Sequence, residues 1–245
     1  MELAYEEFAE VYDRLMTEDI DYEKWYKFIK NIYNEYNVRP YNILEMACGT
    51  GNLTKYFAKD YYNISCFDIS EDMLSIAYKK LRNYKNVCIR HMNMLDFKFN
   101  KKFQSIISIC DSINYILDIE DLKKVFKNVY NHLEDKGIFV FDINSYYKLS
   151  NIIGNNTFIY DEKDVFYTWE NEFQDNIANF YLTFFVYRKG MYERFDEFHQ
   201  ERAYRSDEII DLLKEIGYKN ISVYDGLTFN LSSTKSTRIN FVASK

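Results

Sequence analysis

Five short apolar runs, rich in β-branched and aromatic residues, alternate with segments of helical length over the first 145 residues. Runs of this length and composition are typical of buried strands. Between them, segment 120–133 repeats its apolar residues at helical spacing, and Ser70 precedes two acidic residues as an N-cap would. The alternation predicts an α/β protein with a doubly wound, mostly parallel sheet. The predicted strands lie at 43–47, 64–68, 87–90, 105–110 and 138–142.

The pattern changes after residue 145, where long β-type segments replace the strand–helix repeat. A hairpin turn is predicted at 188–191, and a last helix at 207–216 ends at Gly217. Two final strands would bring the main sheet to seven. We expect residues 1–145 and 205–245 to form the sheet domain and residues 146–204 a small antiparallel β cap. The remaining predicted elements are helices at 4–16 and 21–36 and strands at 165–173, 178–188, 191–204, 219–224 and 237–243.

The charge and cysteine content argue against several classes of protein. The net charge is −7, and the longest basic runs are pairs such as Lys79-Lys80, which we interpret as solvated faces. No apolar stretch reaches the ~18 residues of a membrane span, and the acidic N-terminal segment is unlike a signal peptide, so a cytoplasmic protein is expected. The four cysteines form no CxxC pair. We therefore expect core cysteines and no metal site.

A glycine-rich turn, LEMACGTGNLT, follows the first predicted strand at residues 44–54. Gly49 and Gly51 would let the backbone approach a ligand closely, because no side chain intervenes. Thr54 takes the third glycine position of a dinucleotide-binding fingerprint, and no Lys-Ser/Thr pair follows as a phosphate-binding loop would require. Asp68 ends the second predicted strand, where a carboxylate can accept both hydroxyls of a ribose. The turn therefore indicates a ligand that contains ribose but needs no phosphate cradle.

Segment E45-M-A-C-G-T-G51 resembles the first motif of class I S-adenosylmethionine (SAM)-dependent methyltransferases. Segments 67–74, 92–97, 103–116 and 133–144 resemble the family's later motifs in their usual order, and residues 5–25 resemble the lid helices of its small-molecule members. The resemblance implies a Rossmann-like seven-stranded sheet, N-terminal lid helices over 1–38, SAM as cofactor and S-adenosylhomocysteine as product. The cofactor-binding residues that it implies are Tyr12, Glu45, Ala47, Cys48, Gly49, Thr50, Gly51, Asp68, Ile69, Met73, Asn93, Met94 and Asp111.

Three positions depart from the family pattern. Asn93 stands where the family has an acid for the adenine amino group, although its carbonyl oxygen can still accept from that amine. Gln104 stands where the family's fourth strand usually has an acid, a residue that commonly has a structural role. Lys136 stands where the family has a glycine. Structural alternatives stay open for the candidates: Glu45 satisfied within the sheet, Asp68 capping a helix, and Asn93 shaping a loop.

The class of methyl acceptor is constrained by the chain's single proline, Pro40, which Tyr41 follows. The Pro-Pro motif of amino-methylating nucleic-acid enzymes and the Pro-Cys nucleophile of cytosine C5 enzymes are therefore both absent. With an acidic chain, we expect no nucleic-acid and no membrane partner. The predicted acceptor is a small molecule methylated at N or O by in-line displacement, and the predicted protein is a monomer or homodimer.

The β cap supplies the acceptor-site candidates. Strand alternation would place Asp196, Phe198, Arg202 and Tyr204 on one face, and Glu197, His199 and Glu201 on the other. His199 is the candidate proton acceptor and Arg202 the candidate anchor for an acidic group, while an amphipathic hairpin with paired charges is the structural alternative. Further pocket candidates are Asn114, Tyr115, Tyr146, Trp169 and Tyr204. The rival functions are a protein or tRNA methyltransferase and a SAM-binding regulator without catalysis.

Overall fold

The computed structural model describes residues 11, 13–17, 19–162 and 164–245. Its first half alternates strands and helices: α1 (Tyr22–Glu35), β1 (Asn42–Met46), α2 (Asn52–Lys59), β2 (Asn63–Asp68), α3 (Glu71–Leu81), β3 (Val87–His91), β4 (Phe103–Ser108), α4 (Ile119–His132) and β5 (Leu133–Asn144). The second half comprises β6 (Thr157–Glu162), β7 (Val165–Gln174), β8 (Ile177–Arg188), β9 (Met191–Arg202), α5 (Ser206–Ile216), β10 (Lys219–Asp225) and β11 (Arg238–Ser244).

Seven strands form the main sheet in the order β10-β11-β5-β4-β1-β2-β3. Strands β1 to β5 run parallel to one another, whereas β11 is antiparallel to both β5 and β10. The predicted doubly wound, mostly parallel sheet is confirmed. Strand β5 extends beyond the predicted 138–142 at both ends, because β4 pairs with it at Leu133 and β11 pairs with it as far as Asn144.

Helices cover both faces of this sheet, which explains why its strands are apolar throughout. In β5, Phe139 and Phe141 point toward α4 and α5, while Ile138 and Val140 point toward α1 and α2. The ring of Phe126, from α4, lies with its centroid 5.1 Å from that of Phe141. Burying such a side chain fully contributes about 1.5–3 kcal/mol to stability. The carboxyl edge of the parallel strands is left for loops.

A second, antiparallel sheet follows β5 and has the order β6-β7-β8-β9. Its inner face packs on the π-helical turn Lys148–Ile153 through Phe180, and on Val11 through Phe184. Its outer face leaves Ile159 and Phe198 exposed. The predicted turn joins β8 to β9, with Lys189 and Gly190 both at positive φ, as a tight hairpin requires.

Three expectations from the sequence were wrong in detail. Cys88 lies on the edge strand β3 and is exposed, so it is not a core cysteine. Strand β9 ends at Arg202, so Tyr204 does not share a strand face with it. Helix α5 begins at Ser206, and Arg205 is its N-cap. Among the described residues, no helix is both long and apolar enough to cross a membrane.

Candidate functional site

The glycine turn reverses the chain sharply between β1 and α2. Ala47, Gly49 and Gly51 all have positive φ values, of 49°, 53° and 76°. A Cβ on Gly51 would lie 2.7 Å from Cδ1 of Leu81, so this glycine allows α2 to approach α3. A Cβ on Gly49 would meet no atom within 4 Å. The backbone at Gly49 therefore borders open space, and a ligand could approach it there.

Asp68 joins the end of β2 to this turn. Its Oδ2 accepts from the Gly49 N–H at 2.8 Å, and its Oδ1 accepts from the Ser70 N–H at 2.9 Å. Burial raises the pKa of the Asp68 carboxyl, although these N–H groups oppose the shift. Each carboxylate oxygen has two lone pairs, so Asp68 could still accept the hydroxyls of a ribose. The hydroxyl that caps α3 belongs to Ser70, not to Asp68.

Glu45 lies deeper, inside the sheet. It is buried, and its Oε2 accepts from the Thr54 hydroxyl at 2.6 Å. Burial raises the pKa of Glu45 to about 8. The threonine at the third glycine position is thus the partner of the strand's carboxyl group, which fixes the first turn of α2 against β1.

Asp13, which the sequence reading did not select, fastens an N-terminal helical turn to the glycine turn. Its carboxylate accepts from the Thr50 hydroxyl, from Asn52 Nδ2 at 2.9 Å and from Lys80 Nζ at 2.8 Å. The neighbouring Arg14 pairs with Asp164, which directly precedes β7 of the second sheet, at 2.7 Å. Lys80 is therefore not on a solvated face as predicted, since only 20% of its side chain is exposed. Tyr12 lies outside the described residues.

The loop after β3 lies beside Asp68, whose carbonyl accepts from the Met92 N–H at 3.0 Å. Asn93 Oδ1 accepts from the Leu95 N–H at 2.9 Å, so the side chain shapes the loop, while a second lone pair is left for a ligand. Of the other predicted cofactor residues here, Ile69 is exposed, whereas Met73 and Met94 are half-buried. Cys48 is buried, and its N–H donates to the Phe67 carbonyl.

Asp111 follows β4 in a left-handed conformation, with φ of 55°. Its Oδ1 lies 2.8 Å from Nη2 of Arg238, which also donates through Nη1 to Asp142. Asp142 is fully buried, and burial raises its pKa to about 6. Arg238 therefore offsets part of the negative charge of Asp111 and Asp142, and no local sequence pattern indicated this role.

Three predicted pocket residues connect the end of β9 to the loop that follows β4. Asn114 is buried and donates to the carbonyls of Asn144 and Arg202, at 3.1 and 2.9 Å, while accepting from the Asn144 N–H at 2.9 Å. Arg202 Nη1 donates to the Leu117 carbonyl at 3.0 Å. Tyr204 is fully buried and donates to the Ile116 carbonyl. Their hydrogen bonds are with the protein's own backbone, and the Arg202 guanidinium lies 5.1 Å from the Tyr204 ring centroid, so their place in an acceptor pocket stays a prediction.

His199 and Tyr115 do come together, with ring centroids 6.1 Å apart in an edge-on arrangement. Burial lowers the pKa of His199, so the imidazole is neutral near pH 7 and keeps a lone pair. Trp169 lies on the same inner face of the sheet, against Phe180, and its indole nitrogen is buried without a hydrogen-bond partner among the described residues. The predicted Tyr146 ring lies 4.1 Å below the Arg205 guanidinium.

Glu201, on the inner face of β9, lies at the carboxyl end of β5. It is 3% exposed, and its Oε2 accepts from Asn144 Nδ2 at 2.8 Å. Burial raises the pKa of Glu201 to about 8. Alternation along β9 placed Glu201 and His199 on one face, as the structure shows, but could not indicate that Glu201 is buried against β5. Among the described residues, no group of three His, Cys, Asp or Glu side chains could hold a metal ion.

Comparisons with known proteins agree with this geometry. A family model described as a methyltransferase domain matches residues 43–137. The putative methyltransferase YqeM of Bacillus subtilis (strain 168) is 31% identical over 99% of this chain and 98% of its own length. The crystal structure of a SAM-dependent methyltransferase from Clostridium acetobutylicum ATCC 824 is 42% identical, covers 98% of both chains and superposes with a TM-score of 0.91. A dTDP-3-amino-3,4,6-trideoxy-α-D-glucopyranose N,N-dimethyltransferase of Streptomyces venezuelae is 29% identical over 54% of this chain and 55% of its own.

Proposed function

We propose that this chain, which belongs to the class I family of SAM-dependent methyltransferases, transfers the methyl group of SAM to a nitrogen or oxygen atom of a small molecule. The protein is an α/β enzyme with SAM as its cofactor. The acceptor class and the residues that carry the reaction are the proposal. The observation that supports it most is the contact between His199 and Tyr115 on the inner face of the second sheet, beyond the carboxyl end of β4.

The glycine turn and Asp68 are proposed to hold the nucleoside part of SAM. Gly49 fits this role, because its backbone borders open space and no side chain stands between it and a ligand. Asp68 fits it as well, because its remaining lone pairs can accept ribose hydroxyls while its backbone partners hold its orientation. Asn93 Oδ1, already fixed by the Leu95 N–H, would accept from the adenine amino group.

Residues 146–204 are proposed to form the acceptor-binding cap over this domain. When bound, SAM supplies a methyl group on positively charged sulfur that is open to in-line attack. The protein's part is mainly to position the acceptor, which can lower the barrier by roughly 7–11 kcal/mol. Neutral His199 would accept a proton from the acceptor at its free ring nitrogen, and the Tyr115 ring would limit how that imidazole rotates. The aminosugar N,N-dimethyltransferase relative supports a small-molecule acceptor.

Methyl-labelled SAM tests this proposal directly. Purified protein is incubated with the labelled donor and a cell extract that contains metabolites, RNA and protein, and the fractions are then separated by size. Label is expected in the small-molecule fraction, and His199→Ala should reduce it strongly while SAM binding by calorimetry stays unchanged. Label found only in protein or RNA would contradict the proposal. Tight SAM binding with no label in any fraction would favour a regulator instead.

A further inference from the structure

Glu201 is a buried carboxyl group whose hydrogen-bond donor is neutral. Its Oε2 accepts from the side-chain amide of Asn144 at 2.8 Å, and 3% of the residue is exposed. The ion pairs found among the described residues do not include Glu201. Because burying an unpaired carboxylate is costly, glutamates this deeply buried are ordinarily paired with a cation. Glu201 therefore has the surroundings of a group that takes up its cation from outside the protein.

The charged groups around Glu201 are already committed to other partners. From β11, Arg238 binds Asp111 and Asp142. From the π-helical turn, Lys148 Nζ donates to Asn144 Oδ1 at 2.8 Å, so the Asn144 amide separates it from Glu201. Along β9, the neighbours on the inner face are His199 and Glu197. Glu197 Oε2 lies 3.8 Å from His199 Nε2. Four buried or half-buried carboxyls thus face the two permanent cations Arg238 and Lys148, which leaves two negative charges uncompensated by them when all four are ionised.

The side chains around Glu201 also suit the binding of a positively charged group on a ligand. Glu201 and His199 share the inner face of β9, and the Tyr115 ring lies against His199. Aromatic faces attract cations, and a carboxyl beside them provides the opposite charge. Burial and the negative charge of Asp111 raise the pKa of Glu201 to about 8, while Asn144, Lys148 and Arg238 oppose the shift. In the free protein Glu201 is therefore mostly protonated near pH 7, and an arriving cation would ionise it.

We propose that Glu201 binds the positive charge of the methyl acceptor, so that the acceptor is a protonated amine rather than an alcohol or an acid. This inference rests on the proposed small-molecule function. Binding the ammonium group lowers the pKa of Glu201 and releases the Glu201 proton to solvent. The ammonium then gives one proton to the free ring nitrogen of His199, so that the lone pair of the neutral amine can attack the methyl carbon as the carbon–sulfur bond breaks and S-adenosylhomocysteine leaves. The Glu201 carboxylate stabilises the bound ammonium before this step and the cationic methylated product after it. The structural alternative is that Glu201 only fastens β9 to the end of β5 through Asn144.

The acceptor class is tested with methyl-labelled SAM and a metabolite extract separated by ion exchange into cationic, neutral and anionic fractions. Label is expected in the cationic fraction. Label confined to the neutral or anionic fraction overturns the role of Glu201 but leaves the small-molecule function standing. Label found only in protein or RNA overturns the small-molecule function itself.

Glu201→Gln separates recognition from structure, because glutamine keeps the shape and still accepts from Asn144. In the labelled cationic fraction, kcat/KM should fall about 100-fold, as expected when one partner of a buried charge pair is removed. Thermal unfolding and SAM affinity should not change. The matched control is Glu193→Gln, the same change on the same face of β9 at its exposed hairpin end, and it should retain wild-type activity.

The pH profile distinguishes a charge that binds substrate from one that supports the fold. In the wild type, kcat/KM should rise about tenfold per pH unit up to about pH 8, because it reports ionisation in the free enzyme. In Glu201→Gln this limb should be absent. A lower rate with an unchanged profile, or wild-type activity at every pH, would overturn the proposal.

Discussion

The donor and acceptor halves of the candidate site are held in different ways. At the glycine turn, Asp68 is bonded to the backbone of Gly49 and Ser70, which lie 19 and 2 residues away. At the joint between the two sheets, Asn114 is bonded to Arg202, 88 residues away. The first arrangement is contained in one strand–helix–strand unit, β1 to β2, whereas the second exists only once both sheets are folded. The donor half should therefore tolerate changes in the cap, and the acceptor half should depend on assembly.

The largest effect is expected for Asp68→Ala, which removes the carboxylate proposed to bind the ribose. SAM affinity measured by calorimetry should fall about 100-fold or more, since a hydrogen bond to a charged acceptor is worth about 1.5–3 kcal/mol and the substitution removes two. Asp161→Ala, which removes an exposed carboxylate from β6, serves as the control and should leave SAM affinity unchanged. Unchanged affinity in Asp68→Ala would contradict the ribose assignment.

Asn114→Ala should damage the acceptor half while sparing the donor half. The substitution removes three buried hydrogen bonds, at about 1 kcal/mol each, so the free energy of unfolding should fall by about 3 kcal/mol in chemical denaturation. Asn128→Ala, which removes a single bond to the Phe97 carbonyl, should cost only about 1 kcal/mol. SAM affinity should stay within a few-fold of the wild type. A large loss of SAM affinity would mean that the two halves are not independent.

Asp13 sharpens the comparison, because its helical turn touches both halves through the glycine turn and the Arg14–Asp164 pair. Burial acts to raise the pKa of Asp13, but the bonds from Lys80, Thr50 and Asn52 outweigh it and lower the pKa overall. A lowered folded-state pKa stabilises the protein above the unfolded value, near 3.8, and this stability is lost as the pH falls through the folded value.

Asp13→Asn should therefore reduce the free energy of unfolding by about 1 kcal/mol at pH 7. The difference from the wild type should shrink as the pH falls below 3.8, measured by urea denaturation across pH. Lys80→Met offers a second way to break the same pair. A constant difference between Asp13→Asn and the wild type at all pH values would show that Asp13 acts through packing and not through its charge.

The features that the sequence predicted are the local ones, and those that it missed depend on residues far apart in the chain. The alternation of strands and helices and the turn at Gly49 and Gly51 were predictable because apolar patterning and glycine conformation are local properties. Lys80 was misjudged because its partner, Asp13, lies 67 residues away. Arg238 was missed for the same reason, since it meets Asp142 across 96 residues. A single sequence shows which residues are charged, but not which distant charge the fold brings beside them.

Lys136, where the family pattern has a glycine, gives the smallest expected effect and a reference for both halves. Its φ of 65° lies in the left-handed region, which costs an ordinary residue about 1–2 kcal/mol. Glycine removes this strain but is more flexible when unfolded, so Lys136→Gly should raise the free energy of unfolding by only about 0.5–1 kcal/mol. Thermal and chemical unfolding check the gain. Because residue 136 lies near the start of β5 and the candidate site lies at its carboxyl end, SAM affinity and methyl transfer should both stay at wild-type values; a change in either would mean that strain at one edge of the sheet reaches the other.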